Sequence, residues 1–213
     1  AGRAQVITNP RIPSNTDRED CLKNLTLYLD GAHTPESIEA CVDWVQSEWR
    51  KRTERHFDVV IFDCHRLRIP DVLLGSLFRR LQFYELLPHH VFFTPPWSHR
   101  SSLLPIPSSM HLHQWQEIQL QSWCRLAEFA AASKPSVQLP SLKPYVAHAQ
   151  DVRSIYPGVK ADVAQSLPHA MRWLSHVAKK HRQLHVRVLV TGSLYLVSDV
   201  LKLIGQKVTT KEQ

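Results

Sequence analysis

A chain of 213 residues, 43% of them hydrophobic, is long enough to bury a sizeable core as one large domain and too apolar to be disordered throughout. No apolar stretch approaches the roughly 18 to 20 residues needed to cross a bilayer, and the N-terminal AGRAQVITNP lacks the apolar core of a secretory signal. A net charge of +7 admits anionic partners (nucleotides, polycarboxylates, nucleic acid, an anionic membrane surface), while a solvated basic surface would account for it equally well.

In chain order, Thr8 to Lys23 is polar, contains Pro10 and Pro13, and reads as a surface loop. Leu25 to Leu29 is a short apolar run, and similar runs recur at Val59 to Phe62, Val91 to Phe93 and Val186 to Val190. Hydrophobicity that is continuous rather than alternating fits parallel strands covered on both faces. Between the runs lie helical patterns. From Pro35 to about Arg52, the residues Ile38, Cys41, Val42, Val45 and Trp49 fall on one helix face, with Thr34 as N-cap and Pro35 at the first helical position. A second helix begins near Pro70 and carries Val72, Leu73, Leu77 and Leu81. A third covers about Gln114 to Ala131, and a fourth runs from about Ser166 to Lys180 with Leu167, Met171, Leu174 and Val177 in phase. The last follows Gly192 and includes Leu196, Val200 and Leu203. The alternation predicts one α/β domain over residues 1–213, with a mostly parallel sheet, helices on both faces, and loops at about 8–23, 94–110 and 133–150.

Chemistry is sparse. The cysteines at 21, 41, 64 and 124 form no CxxC, and Cys41 and Cys64 read as small core residues of a reducing compartment. Neither His89–His90 nor His111 with His113 has the i, i+4 spacing that sets two imidazoles on one helix face, so no metal site is expected. No GxxxxGK[ST], GxGxxG or GxSxG occurs, which leaves the chain without the usual triphosphate cradle or a nucleophile elbow. Two glycines, Gly31 and Gly192, stand where an apolar run passes into a helix. In a parallel sheet, ligands bind beyond the carboxyl ends of strands, and a helix N-terminus favours an anion. Asp30 could accept from ribose hydroxyls, His33 could stack on a base or touch a phosphate, and Thr191 and Ser193 could hold a phosphate or carboxylate. A plain turn with a local Asx contact and ordinary helix caps explain the same residues. Basic clusters at Arg50-Lys51-Arg52 with Arg55 and His56, and at Lys179-Lys180-His181-Arg182, precede strands and so belong on the opposite edge. There they stabilise helix C-termini or contact a partner or nucleic acid.

Three segments are familiar together: Gly2-Arg3-Ala4-Gln5-Val6, Leu27 to Ser37 (LYLDGAHTPES), and Val188 to Val197 (VLVTGSLYLV). The combination closely resembles the C-terminal domain of eukaryotic folylpolyglutamate synthase, a member of the Mur ligase superfamily, and spans residue 2 to about residue 205. The resemblance implies a Rossmann-like domain that closes over a nucleotide held by a preceding ATP-binding P-loop domain, which these 213 residues do not include. It implies ATP and Mg²⁺ as cofactors of the joined enzyme, folate and glutamate as substrates, and a mitochondrial or cytoplasmic setting. In that pattern Arg3 approaches the ATP phosphates, Asp30 and His33 meet the nucleotide, and Arg68, Thr191 and Ser193 are the candidates for glutamate, with no catalytic group and no cofactor held by this chain alone.

Departures gather where substrate is expected. The family's Phe-Asn is Phe62-Asp63, the acid after its arginine is Ile69, its Pro-Asn is Pro95-Pro96, and a glycine is Ser198. An acid replacing an amide would repel glutamate carboxylates if Asp63 faced them. These changes, with the net charge of +7, suggest an alternative: a non-catalytic derived module serving as a structural or assembly subunit, with an organellar ribonucleoprotein as one plausible host.

Overall fold

A computed structural model of the chain describes residues 4–12, 22–51, 55–95, 97, 113–132 and 160–205. Arg3, most of the two longer expected loops and the chain beyond 205 lie outside the described residues. Among the described residues six strands form one sheet: β1 Gln5–Thr8, β2 Leu25–Leu29, β3 His56–Phe62, β4 His90–Phe93, β5 Lys160–Val163 and β6 His185–Thr191. Their order is β1-β2-β6-β3-β4-β5, and every pairing is parallel except that of β1 with β2. Five helices among the described residues accompany them: α1 Pro35–Trp49, α2 Pro70–Phe83, α3 Gln114–Ala132, α4 Leu167–Lys180 and α5 Leu194–Leu203.

The arrangement follows from handedness. The chain moves from β2 to β3, β4 and β5 in one direction across the sheet, then returns from β5 to β6 in the other. Right-handed crossovers must therefore lie on opposite faces. Accordingly α1, α2 and α3 pack with Tyr28, Val60, Phe62, Val91, Phe93 and Leu189, whereas α4 and α5 pack with Leu25, Leu27, Leu29, Val59, Ile61 and Val188. The α/β, Rossmann-like class and the four apolar runs agree with expectation. Two short edge strands, β1 and β5, were not foreseen; Lys160–Val163 alternates between exposed and half-buried residues and has no apolar run. Val72, expected on the buried face of α2, is exposed, whereas Leu73, Leu77 and Leu81 are buried as expected and Leu74 joins them.

Local chemistry sets the helix starts. Thr34 accepts from the Ser37 N–H while Ser37 Oγ accepts from the Thr34 N–H at 2.9 Å, a reciprocal cap with Pro35 following it. Ser166 caps α4 through the His169 N–H, and Ser193 caps α5 through the Tyr195 N–H. All five apolar positions read for α1 are buried, but the helix ends at Trp49 rather than at Arg52.

The sheet centre carries a charge pair. Arg187 on β6 stands directly opposite Asp58 on β3, both about 3% exposed. Its Nε donates to Oδ1 at 2.6 Å and Nη2 to Oδ2 at 2.8 Å, while Nη1 donates to the Trp49 carbonyl at 3.2 Å and the guanidinium lies 4.4 Å above the Trp49 ring. Burial works to raise the Asp58 carboxyl, but the charge and hydrogen bonds of Arg187 outweigh it and hold the group below the usual carboxylate range. Removing one partner would leave the other buried and uncompensated.

Two glycines decide how closely the corners meet. Gly192 has φ +98°, and a Cβ there would collide with the Asp63 carbonyl oxygen. A Cβ on Gly31 would overlap the Leu194 side chain at the start of α5.

Arg187→Met is expected to cost about 3–5 kcal/mol in denaturant unfolding, with part of the loss recovered by adding Asp58→Leu. Gly192→Ala is expected to cost well over the ~1 kcal/mol of backbone strain alone, because the neighbour is main chain. Gly205→Ala is the comparison: φ is +70° there but nothing lies within 4 Å, so its loss in the same unfolding experiment should stay near 1 kcal/mol.

Candidate functional site

β2 and β6 run side by side in parallel, with Leu29 opposite Val190, so their carboxyl ends finish together. Beyond them the chain parts: after β2 it enters α1 on one face, and after β6 it enters α5 on the other. This is a topological switch point, the place where an open parallel sheet leaves a crevice for ligands. Asp30-Gly31-Ala32-His33 forms one lip and Thr191-Gly192-Ser193 the other. The main-chain ladder continues past the strand ends, from the Asp30 N–H to the Val190 carbonyl at 3.0 Å and from the Asp63 N–H to the Thr191 carbonyl at 3.4 Å.

Asp30 ties this edge together. Its Oδ1 accepts from the Ala32 N–H and its Oδ2 from the Ala4 N–H, both at 2.9 Å. The first bond is the Asx contact that the turn reading anticipates. The second brings the start of β1, and thus the residue following Arg3, to the lip. An ionised carboxylate offers about four lone-pair sites, so two backbone donors leave capacity for two further O–H donors. His33 Nδ1 is 2.9 Å from the Gly31 carbonyl. A carbonyl only accepts, so Nδ1 carries the proton and Nε2 of the neutral ring is an acceptor. Such a ring takes a hydroxyl or amine, whereas contact with a phosphate oxygen requires the protonated form.

The opposite lip is more enclosed. Thr191 is fully buried, with its hydroxyl 3.8 Å from the Cys41 sulfur of α1. Burial, with the Asp30 charge adding to it, pushes the Cys41 thiol up to about 12, which makes it an inert core group. Ser193 is 6% exposed and its Oγ accepts from the Tyr195 N–H, leaving its own O–H to donate. Arg68, on the exposed loop between β3 and α2, has its N–H bonded to the His65 carbonyl at 2.8 Å. The switch point therefore brings Asp30, His33, Thr191 and Ser193 to one edge, and Arg68 follows the next strand along that edge.

Asp63 does not face this edge as an open charge. It is 2% exposed, and Oδ1 accepts from Gln116 Nε2 at 3.1 Å and Gln119 Nε2 at 3.2 Å, both on α3. Burial, only partly offset by these bonds and by Arg66, raises its carboxyl to about 7. The expected repulsion of a carboxylate ligand by Asp63 is thus not supported: the side chain turns inward. Beside it, Trp115 Nε1 donates to the Cys64 carbonyl at 2.6 Å. Sequence reasoning missed these α3 residues. The available signal was spacing, since Gln116, Gln119 and Trp123 stand at i, i+3 and i+7 and share one buried stripe.

Arg50 and Lys51, together with the Lys179–Arg182 cluster, lie where α1 and α4 end and β3 and β6 begin, on the edge remote from the switch point. Lys51 Nζ is 2.6 Å from Glu48 Oε1. Among the described residues no three His, Cys, Asp or Glu side chains gather as metal ligands, and no helix is long and apolar enough to cross a membrane.

No family model matches the chain. It is 28% identical over 242 residues to a folylpolyglutamate synthase of Arabidopsis thaliana, covering 95% of this chain and 39% of that protein. A putative folylpolyglutamate synthase of Caenorhabditis elegans is 27% identical over 96% of this chain and 33% of its own length. The mitochondrial folylpolyglutamate synthase of Homo sapiens is 28% identical over 84% and 36%. Among solved structures, Mycobacterium tuberculosis folylpolyglutamate synthase complexed with ADP and AMPPCP aligns with a TM-score of 0.47 at 14% identity, over 85% of this chain and 30% of that one. A murein peptide ligase from Psychrobacter arcticus aligns at 0.44 and 12% identity, over 98% and 31%. This chain is similar, over nearly its whole length, to eukaryotic folylpolyglutamate synthases, and it spans about two-fifths or less of theirs.

Proposed function

We propose that this chain is the C-terminal domain of a folate:glutamate ligase and closes its switch-point edge over a nucleotide carried by a P-loop domain. The observation that carries this reading is the meeting of the Asp30–His33 and Thr191–Ser193 corners at the parallel ends of β2 and β6, within a chain similar to folylpolyglutamate synthases along its length. Either motif alone is an ordinary strand-to-helix corner. A second support is apolar exposure on the same edge: Leu67 and Ile69 follow β3, Leu194 and Tyr195 open α5, and all four are exposed. Apolar side chains grouped at a ligand edge suit docking against another domain.

In this reading the chain binds and orients. ATP supplies the acyl phosphate through which the ligase joins glutamate to the folate γ-carboxyl. Asp30 accepts the ribose hydroxyls on its remaining lone pairs, and His33 offers Nε2 to a neighbouring hydroxyl or amine. Arg3, one residue before the Ala4 N–H that Asp30 holds, meets the phosphates. Ser193 donates its O–H to a glutamate carboxylate and Arg68 pairs with it from the next loop, while Thr191 acts through the buried contact that sets the strand end. The net charge of +7 suits ligands this anionic.

A second reading has one observation in its favour. Both Asp30 oxygens, the Thr191 hydroxyl and Ser193 Oγ already have partners within the chain. A corner satisfied internally could persist in a derived, non-catalytic subunit, with the basic opposite edge as a contact for RNA or a larger assembly.

The complete gene product, assayed with ATP, glutamate and a reduced folate, separates the two. The ligase reading expects ATP-dependent addition of glutamate. Asp30→Ala should then raise the KM for ATP by about tenfold to a hundredfold, the equivalent of a lost charge-assisted hydrogen bond. A folded complete product with no glutamate addition would discard the ligase reading and favour the second.

A further inference from the structure

At the junction between α3 and the β3–α2 corner, a buried amide oxygen has no hydrogen-bond partner. Gln116 and Gln119 both give their amide N–H to the same oxygen, Oδ1 of Asp63. All three side chains are nearly or fully buried, at 4%, 0% and 2% exposed, and Gln119 Oε1 has no hydrogen-bond partner. A buried amide oxygen without a donor is costly. No described cation forms an ion pair with Asp63. Arg66, on the exposed turn of its own loop, acts on it only at a distance.

We propose that Asp63 is held as the neutral acid and donates its proton to Gln119 Oε1, so that the junction of α3 with the β3–α2 corner is a proton-dependent clasp. In an acid–amide pair, one oxygen accepts the amide N–H while the O–H on the other oxygen donates to the amide carbonyl, so the orphan Gln119 oxygen gains its donor. Turning the Gln119 amide over would set Oε1 against Oδ1 and again require a proton between them. A protonated carboxyl also has the shape and donor pattern of an asparagine amide, so an acid here does not bring a fixed negative charge to the ligand edge. The clasp matters at that edge because the Asp63 carbonyl is the atom on which Gly192 closes, and the Trp115–Cys64 bond is anchored in the same α3 turn.

Burial favours the neutral form of Asp63, against the two glutamine bonds and the distant Arg66. Cys64 follows Asp63, and burial raises its thiol, so it brings no charge to the clasp. From the β6–α5 corner the neighbours are the backbone of Thr191 and Gly192. The Asp30 charge acts on Cys41 of α1. Burial raises the Asp63 carboxyl from 3.8 to about 7. A group raised in the folded state contributes stability that is complete below about pH 4 and is lost as pH climbs to about 7.

The inference stands whatever ligand the edge takes. Its test is a titration of the full chain carrying ¹³C-carboxyl aspartate, with the Trp115 indole N–H followed in parallel. The Asp63 carboxyl should ionise near pH 7, with the Trp115 signal shifting at the same midpoint. Asp63→Asn should fold, hold the Trp115 signal constant from pH 5 to 8.5, and exceed the wild type in Tm by a margin that widens as pH rises to 7. Asp63→Ser, which cannot span the pair, should lose the Trp115 bond at every pH. An Asp63 carboxyl already ionised at pH 5 would overturn the proposal, as would a Trp115 signal in Asp63→Asn that still titrates near 7.

Discussion

The pairing of Asp58 with Arg187 is the constraint on which the rest of the molecule depends. Two buried charges on adjacent central strands meet only when residue 58 stands opposite residue 187. A slip of one residue would bury both without a partner and would turn the apolar faces of β3 over. Because that register is held at the amino end of the strands, their carboxyl ends fall level, with Phe62 opposite Thr191. Only then does the Asp63 carbonyl lie against Gly192, and only with β2 in matching register does Asp30 stand beside Thr191. A buried charge pair near the amino ends of the two central strands thus sets the geometry at their carboxyl ends.

That edge is organised around main-chain contacts more than free side chains. Asp30 holds the backbone at Ala4 and Ala32, Ser193 caps α5, and Thr191 is sealed against Cys41. Such internal bonds preorganise a site when the same atoms keep lone pairs or protons for a ligand, as the Asp30 carboxylate and the Ser193 hydroxyl do. The exposed apolar residues Leu67, Ile69, Leu194 and Tyr195 lie along the same rim.

Much of this was legible before any coordinates. The apolar runs became β2, β3, β4 and β6, and the Thr34-Pro35 signal marks the start of α1, because burial and capping act locally. The edge strands were not legible: QVIT and KADV are strands through their neighbours, not through their composition. The central ion pair was hidden for a related reason, since Asp58 and Arg187 each look like a polar break in an apolar run until the register brings them together. The inward turn of Asp63 was illegible as well, because its partners lie more than fifty residues away on α3. For the candidate site, sequence placed Asp30, His33, Thr191 and Ser193 at strand ends. It could not reveal that Thr191, Ser193 and both oxygens of Asp30 would be bonded internally.

The central claim is that the carboxyl edge between β2 and β6 receives the nucleotide. Amide hydrogen exchange of the complete gene product, with and without ADP, tests it most directly. The account predicts added protection in the segments containing Asp30–Ser37 and Thr191–Tyr195, with none at Arg50–Lys51 or Lys179–Arg182. Protection confined to the basic opposite edge, or none at all at saturating ADP, would contradict it.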